Sequence, residues 1–81
     1  MAETKLLDGK RVLAVDDEKD VLDSLARFLQ MCEMVTAPSF EEAKELLDSQ
    51  HFDLVILDIM GVDGYGLLEI ASRKKIPAVM L

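Results

Sequence analysis

The sequence predicts an α/β domain, with a parallel β-sheet and helices on both of its faces. Short apolar runs alternate with longer segments in which apolar residues recur every three or four positions. This alternation is typical of parallel strands that are joined by helices. The run Leu54–Leu57 is apolar throughout, as expected of a strand that is covered on both faces.

The first half of the chain contains two predicted strands and one predicted helix. The apolar run Val12–Val15 ends at two aspartates and is predicted to be a buried strand. The segment Lys19–Met31 has helical spacing, and Met34–Ala37 is predicted to be a second strand that Pro38 stops. The apolar residues of the helix are Val21, Leu22, Leu25, Phe28 and Leu29.

The second half begins with a signal for the start of a helix. Ser39 and Glu42 have the spacing of a capping box, with Ser39 at the N-cap and Glu42 at N3. The apolar face of the helix that they open comprises Phe40, Ala43, Leu46 and Leu47. After the strand Leu54–Leu57, we expect a third helix over roughly Gly64–Lys74 and a fourth strand over Pro77–Leu81.

The alternation of strands and helices restricts the topology. Right-handed crossovers, with a second winding direction that begins at the third strand, give the flavodoxin-like strand order 2-1-3-4. A Rossmann order is the competing arrangement, and periodicity alone does not separate the two. We expect residues 1–81 to be a single, incomplete domain that lacks the last strand and helices of the flavodoxin-like fold.

This topology places one helix on one face of the sheet and two helices on the other. One helix about 10 Å across covers roughly half of a four-stranded face about 15–19 Å wide. We therefore expect some of Val55, Leu57, Val79 and Leu81 to face water, and we predict a homo-oligomer through the strand-four edge or the uncovered sheet face. The phenylalanines are expected in the core or at its edge: Phe28, Phe40 and Phe52.

Charge and composition argue against several classes of function. Nine basic and sixteen acidic residues give a net charge of −7, which disfavours nucleic acid or an anionic membrane as the primary partner. The single cysteine, Cys32, excludes an intrachain disulfide and a multi-cysteine zinc site. The apolar runs are far shorter than the ~20 residues of a membrane span, and no signal peptide is visible. We therefore expect a cytoplasmic protein.

Acidic residues follow two strands that are predicted to be neighbours. Asp16 and Asp17 follow the first strand, and Asp58 follows the third. In the order 2-1-3-4 the strand order reverses between these two strands, and ligands of such sheets bind beyond the carboxyl ends of the strands at that point. Carboxylates that are brought together repel one another, and hard oxygen ligands suit Mg²⁺. The sequence therefore predicts a Mg²⁺ site.

The motifs around these acids resemble those of a known family. The segments concerned are Arg11–Glu18, Asp53–Met60 and Asp63-Gly64. In this order they resemble the receiver domain of bacterial two-component response regulators, of the chemotaxis-regulator kind. The resemblance runs from about Lys10 to Leu81. It implies a phosphoacceptor domain that takes a phosphoryl group from a histidine kinase or a phosphotransfer protein.

The resemblance also implies a role for each residue of the predicted site. Asp58 corresponds to the phosphoacceptor and is also a metal ligand, and Asp17 corresponds to a direct Mg²⁺ ligand. Asp16 corresponds to the acid that holds the metal largely through water, and the backbone carbonyl of Met60 completes the site. The hydroxyl and lysine that contact the phosphoryl group in this family have no counterpart among the 81 residues. No catalytic residue beyond Asp58 is therefore expected.

Two other classes of function are alternatives to the phosphoacceptor. The first is a non-phosphorylated assembly or interaction module, a degenerate or engineered receiver fragment that oligomerises. The second is an enzyme on the same topology. However, acids follow the first strand where a dinucleotide-binding enzyme has G-x-G-x-x-G, and no P-loop is present. Met60 also stands where a haloacid-dehalogenase-like phosphatase needs a second acid. We therefore expect that the chain is not an enzyme.

Overall fold

Four strands and three helices make up the part of the chain that the computed structural model describes, residues 9–58 and 64–80. The strands are β1 (Arg11–Val15), β2 (Glu33–Ala37), β3 (Leu54–Leu57) and β4 (Ala78–Met80). The helices are α1 (Lys19–Phe28), α2 (Phe40–Ser49) and α3 (Gly64–Arg73). Each predicted element is present in the predicted order.

The sheet has the strand order β2-β1-β3-β4, and each pair of neighbours is parallel. This is the predicted flavodoxin-like order, so the competing Rossmann order is excluded. In the register of the sheet, Val15 lies opposite Ala37 of β2 and opposite Leu57 of β3. The carboxyl ends of these three strands are therefore level, and the residues that follow them reach the same edge.

The larger part of the core lies between the sheet and the two helices α2 and α3. Leu13 and Val15 of β1 are paired in register with Val55 and Leu57 of β3, and all four side chains are buried on this side. Phe52, just before β3, is fully buried in the same cluster, as expected. The helices contribute Ala43, Leu47, Leu67 and Ala71. Of the four residues among which some were expected to face water, Val55 and Leu57 are therefore covered, because they lie on the side with two helices.

The helix α1 lies on the other face of the sheet. Side chains alternate between the faces of a strand, and the buried residues Val12 and Ile56 belong to this second face together with Leu22 of α1. Val79 of β4 is paired in register with Ile56 and is 48% exposed. Exposure of Val79 was expected, and it confirms that one helix leaves the β4 side of this face partly uncovered. Leu81 lies outside the described residues.

The two helices of the first half differ in how they start and end. At α2 the Ser39 hydroxyl accepts a hydrogen bond of 3.3 Å from the backbone N–H of Glu42, which confirms the predicted N-cap. The helix α1 ends at Phe28, three residues before the predicted Met31. It ends early because the backbone of the following turn pairs with the segment before β1. The backbone N–H of Gly9 donates a hydrogen bond of 2.9 Å to the carbonyl of Met31.

Phe28 is the one phenylalanine that departs from the expected burial. Its side chain is 80% exposed, whereas Leu22 of the same helix is buried. A helix turns by about 100° per residue, so Phe28 lies about 120° around the helix from Leu22 and outside the face that meets the sheet.

The helices of the described ranges include none with the length and apolar character that a bilayer crossing requires.

Candidate functional site

The predicted acidic cluster forms where β1 and β3 end side by side. The backbone N–H of Asp58 donates to the carbonyl of Val15 at 3.0 Å, so the pairing of the two strands continues up to this residue. Asp16 is held in the same way, because its N–H donates to the carbonyl of Ala37 at 3.2 Å. Asp16, Asp17 and Asp58 each offer a carboxylate oxygen, and these oxygens lie within 4.8 Å of one another.

The three carboxylates differ in their access to solvent. Asp16 is only 6% exposed, Asp58 is half-buried and Asp17 is exposed. One oxygen of Asp16 accepts a hydrogen bond of 2.9 Å from the backbone N–H of Glu18, the N-cap residue of α1. The buried acid is therefore fixed in orientation, and Asp58 is partly accessible to solvent, so a second molecule can reach it.

The charge of Asp16 is unfavourable in this position. Burial raises the pKa of its carboxyl above the ordinary value of 3.8. The hydrogen bond from Glu18 opposes this shift, while the neighbouring charges of Asp58 and Asp17 raise the pKa further. Repulsion of this kind is relieved when a cation binds between the carboxylates. The electrostatics of the cluster therefore favour occupation by a cation.

Comparison with known proteins identifies the family. The model of the response regulator receiver domain matches residues 12–81. The chain belongs to the response regulator receiver domain family. A structure of the Francisella response regulator 1452 receiver domain superposes with a TM-score of 0.79 at 24% identity, over 89% of this chain and 64% of that one. That likeness confirms the flavodoxin-like fold.

Several curated proteins are similar to this receiver domain in sequence. The probable transcriptional regulator ycf27 of Cyanophora paradoxa is 39% identical over 80 residues, which cover 93% of this chain and 34% of that protein. The two-component response regulator ARR18 of Arabidopsis thaliana is 40% identical over 79 residues, 90% of this chain and 12% of its own length. The heme response regulator HssR of Staphylococcus aureus strain Newman is 38% identical over 74 residues, which cover 85% of this chain and 33% of that protein. The chain thus spans about a third or less of each.

The donor set of the receiver domain fits a small divalent cation. Carboxylate oxygens are the ligands that Mg²⁺ prefers, and it usually keeps several waters. Two ligands of one Mg²⁺ lie at most about 4.2 Å apart, because each Mg–O distance is about 2.1 Å. The carboxylate oxygens lie within 4.8 Å of one another, slightly more than this limit allows. A small inward movement of the side chains, or a water molecule between one carboxylate and the ion, would bring Asp16, Asp17 and Asp58 around one cation.

One predicted residue of the site lies outside the described ranges, and one hydrogen bond of the site was not predicted. Met60, predicted to supply a backbone carbonyl, lies outside the described residues, so its role stays a prediction. The hydrogen bond from Glu18 N–H to Asp16 was not predicted, although an Asp that accepts from the backbone two residues later is a known turn signal. This bond joins the end of β1 to the start of α1, so the position of the buried acid is tied to that helix.

Proposed function

We propose that this receiver domain accepts a phosphoryl group on Asp58, with Mg²⁺ held by Asp16, Asp17 and Asp58. The donor is the phosphohistidine of a histidine kinase or a phosphotransfer protein, the partners with which receiver domains generally interact. The observation that carries the proposal is the half-buried Asp58 at the end of β3, with oxygens of Asp16 and Asp17 within 4.8 Å, in a chain of this family.

The reaction follows from the chemistry of a carboxylate nucleophile. An oxygen of Asp58 attacks the phosphorus, and the new O–P bond forms as the P–N bond to the donor histidine breaks. The electron pair of the broken bond stays on the imidazole nitrogen. Mg²⁺ supplies neutralisation of the phosphoryl oxygens, and the protein mainly positions the reactants. The backbone hydrogen bond from Asp58 N–H to the Val15 carbonyl, and the hydrogen bond from Glu18 N–H to the Asp16 carboxylate, provide that positioning before the donor arrives.

The test is phosphorylation by a small acyl phosphate in the presence of Mg²⁺. Mass spectrometry should find one added phosphoryl group, on Asp58, and EDTA should abolish the reaction. Asp58→Asn should lose the label, while Asp23→Asn, which removes an exposed acid from α1, should keep it. Labelling that persists in Asp58→Asn would show that Asp58 is not the acceptor.

An assembly module is the second candidate, favoured by one observation on the sheet. Within the described ranges β4 pairs with β3 alone, and Val79 is 48% exposed on the less covered face. Such edges and apolar faces promote pairing between chains. A homo-oligomer through the strand-four edge or the uncovered sheet face is compatible with phosphorylation. If the chain does not bind Mg²⁺, the assembly module is the remaining candidate function.

Self-association is measured by sedimentation equilibrium at about 50 μM. The parent chain should be dimeric or larger, and Val79→Lys should shift the population toward monomer, because a charge on an edge strand blocks pairing. Thr36→Lys on β2, the opposite edge strand, is the matched control, since Thr36 is exposed already. A parent chain that is a monomer with cooperative unfolding would refute self-association.

We further propose that the domain is a phosphoacceptor and not an enzyme that turns over a separate substrate. It works in the cytoplasm, where ATP-dependent kinases supply the phosphoryl group. Because its net charge is −7, it makes no primary contact with nucleic acid or an anionic membrane.

A further inference from the structure

The residues that line a groove between α2 and α3 carry a net positive charge, whereas the chain as a whole is negatively charged. The groove has a volume of about 430 Å³, and it lies toward the C-terminal ends of both helices. The lining residues are Lys44, Asp48, Ile70, Arg73 and Lys74. Three cations against one carboxylate give this lining a formal charge of +2, in a chain whose net charge is −7.

The basic groups of this groove are only loosely paired. Lys74 Nζ lies 4.0 Å from Asp48 Oδ1, and Arg73 Nη2 lies 4.0 Å from Glu69 Oε1. Both distances exceed those of charge-assisted hydrogen bonds, about 2.7–2.9 Å. The side chain of Arg73 is 72% exposed and that of Lys74 is 38% exposed. Both cations therefore retain donors that an arriving anion can use.

Helix dipoles account for only part of this positive charge. Cations at the end of a helix complement a partial charge of about −0.5 there, and two helices end beside the groove. Together these partial charges offset about one of the two excess positive charges. Among the lining residues roughly one unit of positive charge is left, beside the half-buried apolar side chain of Ile70. The exposed Glu69, 4.0 Å from Arg73 but outside the lining, offsets part of this excess.

We propose that the groove binds an acidic polypeptide segment of a partner protein. Its volume lies within the range of about 300–1,000 Å³ that is usual for binding pockets, so it offers more room than a single inorganic anion fills. Carboxylates of the segment face Lys44, Arg73 and Lys74, and an apolar side chain of the segment packs on Ile70. A nucleic acid fits less well, because its continuous phosphate charge meets repulsion from the rest of the surface.

The test uses a fluorescein-labelled octapeptide, with two leucines between two runs of three glutamates, and fluorescence anisotropy at low salt. The affinity should fall with added NaCl and should fall by about tenfold in Arg73→Gln/Lys74→Gln. Lys19→Gln/Arg27→Gln, which removes two exposed cations from α1, is the control of equal charge and should weaken binding much less. Equal losses in the two double variants would show attraction to overall charge only and would overturn the proposal.

A second pair of variants tests the groove in the opposite direction. Asp48→Asn removes the one carboxylate from the lining and should strengthen binding by a few-fold, more than Asp23→Asn on α1 does. No difference between these two variants would contradict the site. Complete competition by orthophosphate at matched ionic strength, or tighter binding of a labelled single-stranded oligonucleotide, would overturn the polypeptide assignment. The groove variants keep Asp16, Asp17 and Asp58, so they test this surface independently of phosphorylation.

Discussion

At the scale of single residues, the Arg11 side chain makes several interactions that no motif in the sequence predicts. Its guanidinium is paired with Glu33 of β2 at 2.7 Å and also donates to the His51 carbonyl and the Gln50 side-chain oxygen. The guanidinium lies 5.0 Å from the centre of the Phe52 ring. One side chain thus connects β1, β2 and the loop before β3.

We expect Arg11→Ala to lower the free energy of unfolding by about 1–3 kcal/mol, because it removes charge-assisted hydrogen bonds and a cation–π contact at a partly exposed site. Urea denaturation followed by circular dichroism measures the change. Arg27→Ala on α1 removes an exposed arginine and should change stability by less than about 0.5 kcal/mol. Similar losses in both variants would mean that the interactions of Arg11 add nothing.

Asp16 gives a prediction about pH. Because its pKa is raised in the folded protein, the folded state binds more protons than the unfolded state above about pH 3.8. Its contribution to stability therefore falls as pH rises through the folded pKa. Without metal, Asp16→Asn should raise the melting temperature at pH 7, and the gain should shrink as pH falls through the raised pKa of the parent carboxyl, which then takes up its proton. A gain that does not change with pH would refute this explanation.

At the scale of elements, the sequence predicted those helix and strand boundaries that depend on residues close together in the chain. The capping box fixed the start of α2, and the apolar run Leu54–Leu57 was placed without error. The end of α1 was missed because pairing of the next turn with residues before β1 determines it. The three aspartates were predicted to meet, since strand order alone brings them together. The salt bridge of Arg11 to Glu33 could not be predicted, because the two residues become neighbours only when β1 and β2 pair.

The cap of α2 provides a prediction at this scale. Ser39→Ala removes the acceptor for the Glu42 N–H and should cost about 1 kcal/mol of stability. Ser39→Asp should retain most of it, because aspartate caps equally well and adds a favourable charge at the helix N-terminus. Ser24→Ala, at an exposed position inside α1, serves as the control for loss of a hydroxyl. Thermal melts measure the melting temperatures of the three variants against that of the parent chain. A Ser39→Ala melting temperature no lower than that of Ser24→Ala would show that the cap adds no stability.

At the scale of the whole molecule, Mg²⁺ can act in two ways on a chain with a net charge of −7. It can bind the acidic cluster, or it can screen the repulsion among all the acids. Binding to the folded state alone stabilises by mass action, about 1.4 kcal/mol at ten times the dissociation constant. For a domain of this size, that corresponds to a rise in melting temperature of roughly 5–10 °C.

The two effects separate when salt and site are varied independently. About 10 mM MgCl₂ should raise the melting temperature more than NaCl of equal ionic strength, since both salts screen charges equally at that ionic strength whereas only Mg²⁺ occupies the site. Asp17→Ala should remove the excess, because it deletes the exposed oxygen donor of the cluster. Asp23→Ala changes the net charge equally but leaves the cluster intact, so it should keep the full response to Mg²⁺. If Mg²⁺ and NaCl act alike on the parent chain, or if both variants respond alike, the acids at the ends of β1 and β3 do not form a metal site.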